Sequence, residues 1–155
     1  MHDAKSNDQN SLVDRAGLLI DQKKYSEALA LLEKVREETK TENRFQAYLG
    51  YIYFHLERYH EAIECFDRVL ADKKDAENIL FTRAVSKDYL NKVPEAIKDY
   101  ERVLNINPEA KLVHRNLGLL FESQEKFGEA QKFYSKALKL DENDDVSKAR
   151  LKSLR

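Results

Sequence analysis

The segment of this chain that comes closest to a catalytic motif is His60-Glu61-Ala62-Ile63-Glu64. A zinc protease places two histidines four residues apart on one helix, so that both imidazoles reach the metal, and uses the glutamate beside the first as a general base. Glu64 stands where the second histidine would be, and the other histidines are scattered along the chain. The sequence therefore predicts no metal site, and this segment is better explained as the start of a helix.

The sequence contains no other catalytic arrangement. No serine stands in a strand–turn–helix elbow, and the four glycines form no phosphate-binding loop. Acidic pairs such as Glu37-Glu38 are typical of solvated helix surfaces. We therefore expect no catalytic residues and no cofactor, and we predict that the protein is not an enzyme.

The elements that would position any functional residue are indicated by small side chains that recur every 34 residues. Two such series run through the chain: Ala28, Ala62, Ala96 and Ala130, and Ala16, Gly50, Ala84 and Gly118. Helices approach to about 8–10 Å only where side chains are short. A fixed interval between such positions predicts a repeated structural unit, with blocks at residues 9–42, 43–76, 77–110 and 111–144.

Apolar residues within each block have the spacing of amphipathic helices. In the second block, Phe45 and Ile52 belong to one apolar stripe, Ala62 and Phe66 belong to another, and a polar turn at Glu57 separates them. Each block is therefore predicted to be a pair of helices joined by a short turn, and the fold class is predicted to be all-α.

The repeated unit resembles the tetratricopeptide repeat family. The resemblance rests on Leu49-Gly50-Tyr51-Ile52-Tyr53 followed by Tyr59-His60-Glu61-Ala62-Ile63, and on Leu117-Gly118 followed by Phe127-Gly128-Glu129-Ala130. It covers residues 9–144. It implies a right-handed α-solenoid of four helix–turn–helix hairpins, in which the first helix of each hairpin lines the concave inner surface.

Both ends of the chain lie outside the repeats. We expect a disordered tail over residues 1–8 and a single domain over residues 9–155. Solenoids need a polar element over the last hairpin, and we predict a capping helix over about residues 144–154, begun by Asn143 or Asp144.

Composition bounds the partners and the compartment. The 27 basic and 28 acidic residues nearly cancel, which argues against nucleic acid or a membrane surface as a partner. The polar first residues include no signal or anchor, so we expect a cytoplasmic protein. The single Cys65 is predicted to be a packed thiol.

Charged residues occupy apolar positions in two blocks. Arg83 and Lys87 stand where other blocks have leucine or an aromatic residue, and Arg15 makes the same substitution in the first block. The favoured interpretation is that their aliphatic stems cover apolar surface while their charges reach water. The alternative is that Lys87 pairs with Asp99 or a neighbouring carboxylate between the two helices of its block.

Aromatic residues are concentrated on the predicted inner surface, where exposed rings commonly mark recognition sites. The alternative is that these rings pack between neighbouring first helices and enlarge the core. The predicted partner-binding groove consists of Arg44, Tyr48, Tyr51, Phe54, His55, Phe81, Val85, Asp88, Tyr89, Arg115, Leu119 and Glu122.

The predicted function is that of an adaptor or scaffold, which binds a peptide or helix of a partner protein in this groove. Family members that bind chaperone tails hold a terminal carboxylate with lysine, asparagine and arginine on successive first helices, and this set is missing here. The corresponding places hold Val13, Gly17, Tyr48, Asn78 and Thr82, or Ala47, Tyr51, Thr82, Leu112 and Asn116. Two alternatives remain: a dedicated secretion-type chaperone that shields a client segment, and a self-assembling scaffold.

Overall fold

The computed structural model describes residues 2–35, 37–40 and 42–154, and no strand occurs in these ranges. None of the helices within them is long and apolar enough to cross a membrane. In chain order the helices are α1 (His2–Asp21), α2 (Tyr25–Leu32), α3 (Glu37–Lys40), α4 (Asn43–His55), α5 (Tyr59–Asp72), α6 (Glu77–Tyr89), α7 (Val93–Ile106), α8 (Lys111–Ser123), α9 (Phe127–Leu140) and α10 (Asp145–Ser153).

The helices pair into stacked hairpins, as the sequence predicts. The pairs are α1 with α2, α4 with α5, α6 with α7 and α8 with α9, and the second helix of each hairpin also packs on the first helix of the next. The alanines of the second helices, Ala28, Ala62, Ala96 and Ala130, are completely buried. The predicted all-α solenoid is confirmed.

At the two glycines of the other small-residue series, an aromatic ring rests on a helix backbone. A Cβ atom added to Gly50 would lie 2.5 Å from Phe66 Cε1, and one added to Gly118 would lie 2.6 Å from Tyr134 Cδ1. Both rings are completely buried. The two helices of a hairpin are therefore held at a distance that only a small side chain permits.

The N-terminal end differs from the sequence prediction. Helix α1 begins at His2, so residues 2–8 are helical, whereas a disordered tail is predicted over residues 1–8. No proline or glycine interrupts residues 2–16, and the first helix of the first hairpin continues outward through them. Met1 lies outside the described residues.

Helix α2 is also shorter than its counterparts. It ends at Leu32 after 8 residues, whereas α5, α7 and α9 have 14 residues each. The last turns of those helices contain Leu70, Leu104 and Leu138, and the first block has an arginine at this position. The short helix α3 follows α2 in the first block.

The capping helix is present as α10, which packs on α9 and α8. Of the two predicted N-cap residues, Asp144 is the one used. Its Oδ1 accepts a hydrogen bond from the Ser147 backbone N–H at 3.3 Å, and its Oδ2 accepts one from the Ser147 hydroxyl at 2.8 Å. Cys65 is a packed thiol as predicted, and burial raises its pKa to about 11.

The turn inside each hairpin has the same backbone geometry. One residue per turn has a left-handed φ: Lys23 (59°), Glu57 (60°), Asn91 (56°) and Glu125 (60°). The following N–H then bonds a carbonyl five residues earlier, as from Arg58 N to Tyr53 O at 2.8 Å. Helices commonly end in this way, with glycine at the left-handed position, so the side chains present here strain each turn.

We predict that Glu57→Gly and Glu125→Gly each increase the free energy of unfolding by about 0.5–1 kcal/mol, because glycine adopts a left-handed φ without a Cβ clash. Urea unfolding measures the change. Glu101→Gly, at an exposed position inside α7, is the matched control and should decrease the free energy of unfolding by about 1 kcal/mol. A decrease for all three variants would contradict this explanation of the turns.

Candidate functional site

The candidate site is the face formed by the first helices of the hairpins, of which α4 contacts both α1 and α6. All twelve residues of the predicted groove lie on α4, α6 and α8. His60 and Glu61, by contrast, lie in the first turn of α5. Among the described residues, no group of histidine, cysteine, aspartate and glutamate is arranged to hold a metal ion.

Four of the five predicted groove aromatics are half-buried rather than fully exposed. Tyr51 contacts Phe66 edge-to-face with centroids 5.5 Å apart, and Phe81 contacts Tyr100 at 5.9 Å. Burial raises the pKa of Tyr51. Much of the surface of these rings therefore packs against the core, as the alternative interpretation proposes. Tyr48 and Phe54 likewise pack against the core.

Tyr89 is the exception, because 65% of its surface is exposed. Its ring stacks on Tyr59 with centroids 4.6 Å apart and the planes 4° from parallel. One face of Tyr89 is therefore held by the protein, which limits the rotamers that the ring can adopt. Its exposed surface therefore has a fixed orientation.

Tyr89 ends a row of rings that crosses three hairpins, which we call the aromatic ladder: Tyr25, His55, Phe54, Tyr59 and Tyr89. Successive centroids are 4.2, 5.2, 5.9 and 4.6 Å apart. The ladder places the predicted groove residues Phe54 and His55 in one row with Tyr89. His55 is exposed like Tyr89, and burial together with the charge of Lys23 lowers its pKa.

Sequence reasoning missed Tyr25 and Tyr59 as members of this site. The signal is present, since both begin the second helix of a hairpin and both stack on the last residue of the next first helix. The next equivalent positions hold Val93 and Ser123, so the ladder ends at Tyr89.

The cations predicted for the groove already have partners within the protein. Arg44 Nη1 lies 2.6 Å from Asp14 Oδ1, and Arg44 Nη2 donates to Asn10 at 3.3 Å. Arg115 Nη1 lies 3.6 Å from Asp144 Oδ1. The first pair joins α4 to α1, the second joins α8 to the N-cap of α10, and both compensate positive charge on the inner face.

The two acidic groove residues, Glu122 and Asp88, differ in their surroundings. Glu122 accepts hydrogen bonds from the Tyr134 hydroxyl at 2.6 Å and from Arg150 at 3.4 Å. Asp88 is half-buried, and burial raises its pKa. Val85 and Leu119, the apolar aliphatic residues of the predicted groove, are also half-buried.

A buried ionic network lies beside the site, between α5, α6 and α7. Arg83 Nε and Nη2 donate to the two carboxylate oxygens of Asp99 at 2.8 and 2.6 Å, and Lys87 Nζ donates to Asp99 at 2.7 Å. Asp67 accepts a further bond from Arg83 Nη1 at 2.5 Å. Only 4% of the Asp99 side chain is exposed, against 12% for Arg83 and 15% for Lys87.

The interpretation that Arg83 and Lys87 extend their charges into water is therefore wrong, and the predicted pair of Lys87 with Asp99 is confirmed. Burial disfavours the charge of Arg83, but its bonds to Asp99 and Asp67 outweigh this and raise its pKa. Arg15 is different, because it is exposed on α1, the first helix of the stack.

We predict that Asp99→Leu decreases the free energy of unfolding by about 3–5 kcal/mol, because it leaves two cations buried without their anion. The combination of Arg83→Leu, Lys87→Tyr and Asp99→Cys, which are the residues of the second hairpin, should recover most of this loss. Asp14→Asn, in the exposed pair with Arg44, is the control and should cost less than about 1 kcal/mol. Equal effects of Asp99→Leu and Asp14→Asn in chemical unfolding would contradict the role of the network.

Comparison with known families gives two matches. The model of anaphase-promoting complex, cyclosome, subunit 3 matches residues 21–103, which is more than half of the chain. The tetratricopeptide repeat model matches residues 112–144. No curated protein sequence matches significantly.

Solved structures share the fold of this chain. MamA AMB-1 has a TM-score of 0.86 at 22% identity, covering 96% of this chain and 81% of that chain. The first tetratricopeptide domain of Spaghetti (RPAP3), bound to the HSP90 peptide SRMEEVD, has a TM-score of 0.68 at 22% identity, covering 72% of this chain and 89% of that chain. At these identities the similarity shows the fold alone. Together with the 34-residue hairpins, the two family matches show that the chain belongs to the tetratricopeptide repeat family.

Proposed function

We propose that this protein is an adaptor or scaffold, which binds a peptide or helix of a partner protein across the inner face of its solenoid. Members of the tetratricopeptide repeat family are typically protein-interaction modules without catalytic activity. The observation that supports this site most is the exposed ring of Tyr89, fixed against Tyr59 at the end of the aromatic ladder. A tyrosine held in this way provides a large contact surface, and little side-chain entropy is lost on binding.

The inner face does not suit the carboxylate-clamp type of partner. A terminal carboxylate loses its hydration on binding and needs unpaired cations in compensation. The two arginines of the face, Arg44 and Arg115, are engaged with Asp14 and Asp144. Val13, at one of the corresponding places, is completely buried. An internal segment of a partner therefore fits this face better than a chain end.

We propose a protein partner rather than a nucleic acid or a membrane surface, because the basic and acidic residues of the chain nearly balance. The compartment that we propose is the cytoplasm. A secretion-type chaperone would use the same inner face, but its client would be unstable without it. A self-assembling scaffold would instead bury an end of the solenoid, where Leu18 is 61% exposed. Co-expression with a captured partner and light scattering over a concentration series distinguish these two alternatives from an adaptor.

We predict that Tyr89→Ala abolishes partner capture while the fold persists. The loss of its stack on Tyr59 should cost only about 1 kcal/mol of unfolding free energy. Phe127→Ala is the control, because Phe127 is also an exposed ring (48%) but begins α9 in the last hairpin, outside both the predicted groove and the aromatic ladder. Affinity capture followed by mass spectrometry should identify proteins that the wild type and Phe127→Ala retain and Tyr89→Ala loses. Retention of the same proteins by all three would contradict the proposed site.

Tyr51→Ala provides a contrast within the same face. Tyr51 is half-buried and contacts the buried ring of Phe66, so its truncation should lower the unfolding free energy by about 2–3 kcal/mol. Thermal unfolding of Tyr51→Ala beside Tyr89→Ala measures the difference. If Tyr89→Ala were the more destabilised of the two, Tyr89 would be a structural residue and not a contact for a partner.

A further inference from the structure

The inner face contains one carboxylate for which the protein supplies no counter-ion. Helices α4, α6 and α8 are described in full, and within them Asp88 is the only acidic, lysine or arginine side chain without an ion pair or a side-chain hydrogen bond. The others all have such a partner: Arg44, Glu77, Arg83, Lys87, Lys111, Arg115 and Glu122.

Asp88 is nevertheless half-buried, and burial raises its pKa. A carboxylate that has lost part of its hydration and gained no cation is in an unfavourable state. The cost is present in the free protein, and it would be removed by a cation that arrives with a partner. The ammonium of Lys87, which precedes Asp88 in the sequence, is not its counter-ion because it is bound to Asp99.

The position of Asp88 in its helix strengthens the negative potential. It lies in the last turn of α6, which ends at Tyr89. The carbonyl groups at the end of a helix carry partial negative charge, so this place favours a cation and disfavours a carboxylate. Asp88 therefore lies at the negative end of α6 with no counter-ion of its own.

We propose that the partner segment places a lysine or arginine side chain on this part of the inner face, with its cation paired to Asp88 and its methylene stem on the exposed ring of Tyr89. The inference rests on the proposed function and specifies the chemistry of the partner. An aliphatic stem beside an aromatic ring and a cation beside a carboxylate complement the two side chains in one contact. A partner with an acidic side chain at this place would meet like charge.

The test uses phage-displayed short random peptides, selected on the full wild-type chain and on Asp88→Asn. Asp145→Asn is the matched control, because Asp145 is an exposed carboxylate on α10, outside the inner face. Peptides selected on the wild type and on the control should be enriched in lysine and arginine, and those selected on Asp88→Asn should not. Absence of basic enrichment on the wild type would overturn the inference.

A wild-type-selected peptide is then titrated by fluorescence anisotropy. Asp88→Asn should weaken its binding about tenfold. Asp88→Lys should weaken it further, and replacing the basic residue of the peptide by glutamate should restore binding to Asp88→Lys, which a purely structural role would not produce. The melting temperature of Asp88→Asn should equal or exceed that of the wild type. Unchanged affinity for Asp88→Asn, or a melting temperature several degrees lower, would overturn the assignment.

The outcomes also separate this inference from the function on which it rests. Peptides that bind, lose affinity with Tyr89→Ala and show no preference for basic residues would leave the inner-face function standing and remove only the role of Asp88. If no peptide is selected, or if the selected peptides are insensitive to Tyr89→Ala, the proposed peptide-binding site fails, and the recognition of a basic residue fails with it.

Discussion

The structure depends on close contacts between the two helices of a hairpin, which in the second and fourth hairpins join a buried ring of one helix to a glycine of the other. Phe66 lies against Gly50 and Tyr134 against Gly118, at separations that leave no room for a Cβ atom without a shift. This contact fixes how closely the two helices approach, and the buried alanines of the second helices permit the next hairpin to stack. Because the same spacing recurs along the chain, the first helices lie side by side and form a continuous face.

At the junction between the second and third hairpins, charged side chains fill positions that are apolar elsewhere. The second hairpin has Leu49 and Cys65 at positions where the third has Arg83 and Asp99. Arg83 reaches both Asp99 in its own hairpin and Asp67 in the preceding one. The network therefore ties two hairpins together, with a geometry that admits one register. Such networks add little net stability relative to apolar residues, but breaking one is costly.

The 34-residue period made the hairpins, their turns and the capping helix predictable, because the period reflects helix packing directly. The exposure of individual rings was less predictable. Tyr51 and Tyr89 were both predicted to line the groove, but only Tyr89, the last residue of α6, stands clear of the core, whereas Tyr51 lies in mid-helix against Phe66. The partners of buried charges were also hard to predict. The pair of Lys87 with Asp99 lies within one block and could be proposed from the sequence, whereas the bond from Arg83 to Asp67 joins two blocks.

The contact that we propose for a partner is at the end of α6, where the exposed ring of Tyr89 follows the half-buried carboxylate of Asp88 in the chain. The central claim is that a partner contacts this place. Site-specific photo-crosslinking tests it most directly, with a photoreactive amino acid in place of Tyr89 and, separately, in place of Phe127. The account predicts a crosslink between the position of Tyr89 and a second protein, and none from the position of Phe127. A crosslink from Phe127 alone, or only between copies of this chain, would contradict it.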